Sequence, residues 1–429
     1  MKHAERAPSG LGSTAKTIIE TVPFGDGHSA VHHERVRTMT MRYGTLNQAL
    51  ATIALTAMTG LTLAGTAAAS TRTAPGTARD PALLQQEADA IHGTGMVSVL
   101  ASVTGPDGPR SARAGVADIS TGQPVPLDGE FRIGSVTKTF VATVVLQLAG
   151  EGRLSLDDTV AHWLPGAVEG NGNDGSRITI RELLQMTSGI YDYVNDLPLV
   201  ASAAGFEANR FRMYTPQQLV ALAMQHQPLF APGTGALYSN TNYVLLGMII
   251  GRVTGQSWAE EVNARIIGPL GLRHTIIPGT SPLIPGPHAD GYSDLGGNTP
   301  VNVTALNPSA ADAAGSMIST TADLSRFYAA LTGGRLLASA QLAEMETTIA
   351  APGGAEGFPG ARYGLGLDWF PLPCGGYFGH SGGIPGYSTW DAVTPHTGRT
   401  VVVSITGDEG EDTQDAINTL VDQELCPTR

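Results

Sequence analysis

Hydrophobic and polar positions follow two rhythms along this chain, and the places where one gives way to the other outline the fold. A helix is predicted over about 79 to 92 (ARDPALLQQEADAIHG). Two short β-branched runs follow, Met96 to Val103 and Ala112 to Ala117, and Gly105-Pro106-Asp107-Gly108 between them signals a hairpin. From Ser135 to about Gly150 the spacing turns helical, with Val136, Phe140, Val141, Val144, Val145 and Leu148 in period, and Gly150 and Gly152 marking the end. The stretch from 152 to 305 reads as helices and loops, with helices expected over Thr179 to Met186, Pro216 to Gln225, Asn242 to Val253 and Trp258 to Ile267. Thr320 to Asp323 forms a capping signal before a helix at Leu324 to Leu331. Strand patterns return at Tyr377 to His380, Tyr387 to Val393 and Thr400 to Ile405, and a helix over Asp412 to Glu424 closes the chain.

Strands first, helices in the middle and strands last imply that both ends of the chain build one sheet while the middle builds another layer. The fold class expected is α+β: an antiparallel β-sheet flanked by helices, with an inserted all-α subdomain. One domain over 81–425 is predicted, with 81–151 and 306–425 as its α/β part and 152–305 as its mainly helical part. No internal repeat is apparent.

Residues 1–69 read as a leader. Arg35, Arg37 and Arg42 precede an uncharged apolar run from Ala49 to Ala64, and Ala67-Ala68-Ala69 supplies the small residues of a cleavage site, so a signal peptide is placed at about 39–69. The run is short and rich in Ala, Thr and Gly, which argues against a stable membrane anchor. Residues 70–80 (STRTAPGTARD) read as a flexible lead-in. A secreted, monomeric protein is expected. Export bears on Cys374 and Cys426, the two cysteines of the chain. An oxidising compartment makes a disulfide between them the simple reading, with two buried thiols as the alternative.

Composition narrows the chemistry. With 42% hydrophobic and 15% charged residues in 429, the chain can bury a large core. Its net charge of −13 disfavours a nucleic-acid partner. Of its three lysines, Lys2 and Lys16 fall in the leader, leaving Lys138 alone in the remainder. Arginine cannot be deprotonated in a protein, whereas a buried lysine can lose its proton and act as a base.

Ser135 stands three residues before that lysine, on the same helix face. A serine hydroxyl needs a nearby base to become a nucleophile, and a helix start offers unpaired N–H donors to an oxyanion. A surface lysine behind a helix-cap serine is the plain structural alternative. Tyr238-Ser239-Asn240 supplies a phenol, able to pass a proton if a neighbouring cation lowers its pKa, and an amide able to hold a substrate amide; a structural turn is the alternative. Gly379-His380-Ser381-Gly382-Gly383 combines an imidazole, a hydroxyl and glycines that admit a ligand to strand backbone, an arrangement suited to an edge strand beside a cleft. A structural histidine is the alternative there. His380 has no partner at metal-ligand spacing, so neither a metal nor a cofactor is expected.

In this order and at these separations, the three elements resemble the penicillin-recognising serine enzymes: Ser-x-x-Lys, then Tyr-x-Asn, then Lys/His-Ser/Thr-Gly. Phe131 to Lys138, Gly152 to Asp158, Ile178 to Leu184 and Thr187-Ser188-Gly189 look like stretches of the class C β-lactamase-related branch. Tyr238 to Tyr243 and the histidine of the third motif look most like the secreted D-alanyl-D-alanine carboxypeptidases of actinomycetes, which also have a late disulfide matching Cys374 and Cys426.

The resemblance implies an acyl-enzyme on Ser135, proton movement by Lys138 and Tyr238, and help from His380 in delivering a proton to the departing D-alanine. It implies an oxyanion hole from the N–H groups of Ser135 and Gly383, with Asn240, Ser381 and Gly382 at the substrate. Substrates would be small peptides of the cell-wall stem type or β-lactams. A β-lactamase or an esterase/amidase of the same fold is the alternative, and a non-catalytic penicillin- or peptidoglycan-binding sensor the alternative from another class. Two features depart from the carboxypeptidase pattern: Leu367 to Pro373 contains no arginine to meet a terminal carboxylate, and Gly383 stands where a hydroxyl residue is common.

Overall fold

Thr400–Thr406 is buried at every position, so this strand has no solvent face and belongs inside a sheet covered on both sides. The computed structural model describes residues 81–297, 299–352, 360–395 and 397–426 and places it there. The leader with its signal peptide and the lead-in at 70–80 lie outside the described residues.

Eight strands form the main sheet: β1 (Ser98–Thr104), β2 (Arg110–Gly115), β3 (Ile349–Ala350), β4 (Arg362–Tyr363), β5 (Asp368–Leu372), β6 (Gly375–Ile384), β7 (Tyr387–Val393) and β8 (Thr400–Thr406). Their order is β2-β1-β8-β7-β6-β5-β4-β3, antiparallel throughout. The first strand of the chain thus pairs with the last, Ser98 opposite Thr406.

Five helices position the core and the candidate site: α1 (Pro81–Gly93), α2 (Thr137–Gly150), α3 (Asn240–Thr254), α4 (Thr321–Thr332) and α5 (Glu411–Leu425). Leu84, Ala88 and Ile91 of α1 and Ile417, Leu420 and Val421 of α5 pack with Val99, Ala101, Val401 and Val403 on one face of the sheet. Leu100 and Val402 point the opposite way, as alternation requires, into a larger core shared with α2, α3 and α4. There Phe140 stacks on Phe327 with ring centroids 3.7 Å apart. Thr320 caps α4 by accepting from the Asp323 N–H at 3.3 Å, as its sequence announces.

The structure departs from expectation at three places. β6 runs Gly375–Ile384, through the glycines, pairing with β5 as far as Gly379 and with β7 from Phe378 onward, so only part of it has an open edge. β3, β4 and β5 escape the sequence pattern, because they are short and interrupted by glycine and proline. The middle of the chain adds two-stranded ribbons at Glu169–Gly170/Asn173–Asp174 and Tyr292–Ser293/Val301–Asn302 to its helices. No helix among the described residues is long and apolar enough to cross a membrane.

Candidate active site

Ser135 lies in a single 3-10 turn, Gly134–Val136, that runs directly into α2. Two glycines make this possible. Gly134 has φ +49°, and a Cβ on it would fall 2.7 Å from the Gly383 nitrogen. One on Gly382 would fall 2.0 Å from the Ile133 carbonyl and 3.0 Å from the Ser135 nitrogen. The loop and β6 therefore meet backbone to backbone, which only glycine permits. Arg132 anchors the strand before the loop by donating to the carbonyls of Pro282 at 2.7 Å and Thr304 at 3.0 Å.

Lys138 is fully buried, and its Nζ lies 2.9 Å from Ser135 Oγ, 2.7 Å from Asn240 Oδ1 and 2.7 Å from the Ala314 carbonyl. Burial lowers its pKa to about 7, against the pull of Asp192 and Asp368 towards the charged form. Two of its three neighbours are carbonyl oxygens and can only accept. A neutral amine would give its two N–H groups to them and turn its lone pair to Ser135, the one neighbour able to donate. The arrangement is suited to taking a proton from the serine.

Tyr238 is half-buried, shares a hydrogen bond with Ser135, and presents its ring face to Lys138 Nζ at 4.8 Å from the centroid. Burial pushes the phenol well above its ordinary value, so it stays protonated. Asn240 opens α3 and donates from Nδ2 to Asp192 Oδ2 at 2.8 Å. Burial raises the Asp192 carboxyl, opposed by hydrogen bonds from the Val194 N–H and from Asn240.

His380 is buried. Its Nδ1 contacts the Ser381 carbonyl at 2.5 Å and its Nε2 faces Tyr363 Oη at 3.4 Å. Burial lowers its pKa to about 3, so the ring is neutral with its proton on Nδ1. Both ring nitrogens are thereby occupied within the protein. Gly382 faces the Ser135 loop, and Ser381 and Gly383 alternate to the other face of the strand. β6 pairs with β5 only as far as Gly379, so among the described residues His380–Ile384 has one edge unpaired in the sheet. An extended ligand backbone could add there.

Beside Ser135, Asn240 and Gly383 opens a cavity of about 150 Å³. Its wall is mainly apolar, from the Tyr193, Val194, Leu197, Leu199 and Val200 stretch together with Leu306, Ala310, Ala311, Ile384 and Pro385. No lysine, arginine or histidine is among these residues. Sequence reasoning missed Asp192, Asp368 and the apolar wall, since none belongs to a recognisable motif; the Ala314 carbonyl offers no sequence signal at all.

The arrangement defines a serine hydrolase of the penicillin-recognising fold. The sequence model of the Beta-lactamase family matches residues 82–425, and the chain belongs to that family. Penicillin-binding protein 4 of Amycolatopsis lactamdurans is 32% identical over 296 residues, 66% of this chain and 74% of that protein. Among solved structures, a D-stereospecific amidohydrolase from Streptomyces sp. shares 43% identity with a TM-score of 0.75, over 82% of this chain and 100% of the other. D-amino acid amidase from Ochrobactrum anthropi SV3, complexed with L-phenylalanine amide, shares 30% with a TM-score of 0.69, over 80% and 96%.

Proposed function

We propose that this protein forms an acyl-enzyme through Ser135 and hydrolyses amide or ester bonds at the carbonyl of D-amino acid derivatives. Ser135 Oγ attacks the carbonyl carbon as its proton passes to Lys138. The N–H groups of Ser135 and Gly383 receive the developing oxyanion. Collapse breaks the bond to the leaving amine or alcohol, which takes up a proton relayed from Lys138 through Tyr238. Water then releases the acid and restores Ser135. Asn240 lines the cavity beside the acyl group and accepts from Lys138. His380 supports this cluster from below, without touching the leaving group.

The observation that carries the substrate reading is the cavity beside Ser135, apolar and without a cationic side chain. A D-Ala-D-Ala terminus brings a carboxylate that would need one, whereas an uncharged amide or ester would not. The likeness to the D-stereospecific amidohydrolase and the D-amino acid amidase supports the same reading. A D-alanyl-D-alanine carboxypeptidase is the second reading, favoured by the relative named penicillin-binding protein 4. Incubation with D-phenylalanine amide, L-phenylalanine amide and a peptide ending in D-Ala-D-Ala distinguishes them. Ammonia release from the D-amide well above that from the L-amide supports the first; faster release of D-alanine from the peptide would replace it with the second. Ser135→Ala should abolish both reactions and any covalent label from a fluorescent penicillin.

A further inference from the structure

The segment 191–200 lends Tyr193, Val194, Leu197, Leu199 and Val200 to the cavity beside Ser135, yet it contains no strand and no helix longer than a single turn. Tyr193–Asp196 and Pro198–Val200 are each one 3-10 turn. Such turns hold little of their own shape, so where this wall stands depends on contacts from other elements.

The first part of the segment is tied to α3 and to the loop before α4. Thr241 Oγ1 donates to the Tyr191 carbonyl at 2.7 Å and accepts from the Tyr193 N–H at 3.2 Å, and Tyr193 Oη donates to the Ala310 carbonyl at 2.8 Å. Over 194–197 the ties change. Among the described residues, the one hydrogen bond joining this stretch to another element comes from His226, 30 residues further along the chain and just past the helix Pro216–Ala223. Its Nε2–H donates to Asp196 Oδ2 at 2.7 Å, while Tyr191 Oη donates to Asp196 Oδ1 at 3.3 Å. The imidazole also lies flat on the Tyr191 ring, with centroids 3.7 Å apart and planes 15° apart. His226 is itself held in place: its backbone N–H donates to the Ala223 carbonyl at 3.1 Å, and its carbonyl accepts from Asn173 Nδ2 at 2.8 Å. Ring stacking and the bond to Asp196 thus grip the segment at both ends of its first turn.

We propose that His226 is a positioning residue for substrate selection: by gripping Tyr191 and Asp196 it fixes the cavity wall that an apolar acyl group must touch, while an acyl group too short to reach that wall is indifferent to it. The inference deepens the proposed function and rests on acylation of Ser135.

The esters p-nitrophenyl acetate and p-nitrophenyl hexanoate differ only in acyl length, and the full-length protein should favour the hexanoate. In His226→Ala the ratio of kcat/KM for hexanoate to that for acetate should fall by about 3- to 10-fold, the effect of losing one partly exposed hydrogen bond. The loss should appear as a higher KM for the hexanoate, with kcat for the acetate near the parent's. His226→Gln, whose amide can still donate to Asp196, should restore most of the ratio. The His226 side chain is 37% exposed, so the exchange leaves the core intact. Asp196→Ala should reproduce the loss, and the double variant should be no worse than either single one, because both break the same contact. A parent-like ratio in folded His226→Ala, an equal loss on both esters, or single effects that add in the double variant overturns the proposal. The esters contain no D-amino acid, so the ratio stays readable if that reading fails. Ester hydrolysis persisting in Ser135→Ala would remove the acyl-enzyme reading, and this inference with it.

Discussion

Asp192 accepts a hydrogen bond from the Asn240 amide nitrogen at 2.8 Å, and this bond decides which way the amide faces. With the nitrogen committed to Asp192, the oxygen of Asn240 meets Lys138 at 2.7 Å. A reversed amide would point N–H groups at the amine and compete for the lone pair that Ser135 needs.

Asp192→Asn removes the charge that enforces this orientation. Losing a charge-assisted hydrogen bond in a partly buried site costs about 1.5–3 kcal/mol, so acylation should slow about 10-fold or more. Burst-phase kinetics would show it as a smaller acylation rate constant with an unchanged amount of active enzyme.

None of this orientation is legible in the sequence, because Asp192 sits in Tyr191-Asp192-Tyr193, a stretch with no motif to mark it. What is legible is the chemistry that local spacing controls. Ser135 and Lys138 share a helix face by their separation of three, and the lysine's isolation in the chain singles it out. The α2 helix is recognisable by its period, yet it is buried on nearly all sides because it runs through the centre of the larger core. β6 reads short in the sequence, since its glycines look like a breaker until the close approach at Gly134 and Gly382 explains them. The neutral state of His380 depends on burial by β4 and β5, two short strands whose sequences, Arg362–Tyr363 and Asp368–Leu372, give no periodic signal.

The pH dependence of acylation follows from the burial of Lys138. Its pKa is lowered to about 7, and only the neutral amine can take the serine proton. The rate should therefore rise with pH through about 7 and level off above, falling by about tenfold per unit on the acid side. Stopped-flow acylation across roughly pH 5 to 9 measures this. A limb at the ordinary lysine value of 10.5 would show that Lys138 is not desolvated in solution.

Cys374, in the turn between β5 and β6, is joined to Cys426 at the end of α5 across a sequence separation of 52. Closing a loop of that length contributes about 4 kcal/mol on chain-entropy grounds. Replacing both cysteines with serine should lower the urea midpoint measurably while leaving acylation within a few-fold of the parent, because the bridge pins α5 on the face of the sheet away from α2. Thiol titration of unfolded, unreduced protein recovered from an oxidising compartment should find no free thiol.

Whether Lys138 moves a proton or merely supplies a charge is tested most directly by Lys138→Arg. Arginine keeps the charge and approximate length but cannot give up its proton. The acylation rate constant, measured with a chromogenic β-lactam or thioester on a variant confirmed to be folded, should fall by about 10²-fold or more, the range for losing a general base. A rate within a few-fold of the parent would contradict proton transfer by Lys138, the step on which the proposed acylation rests.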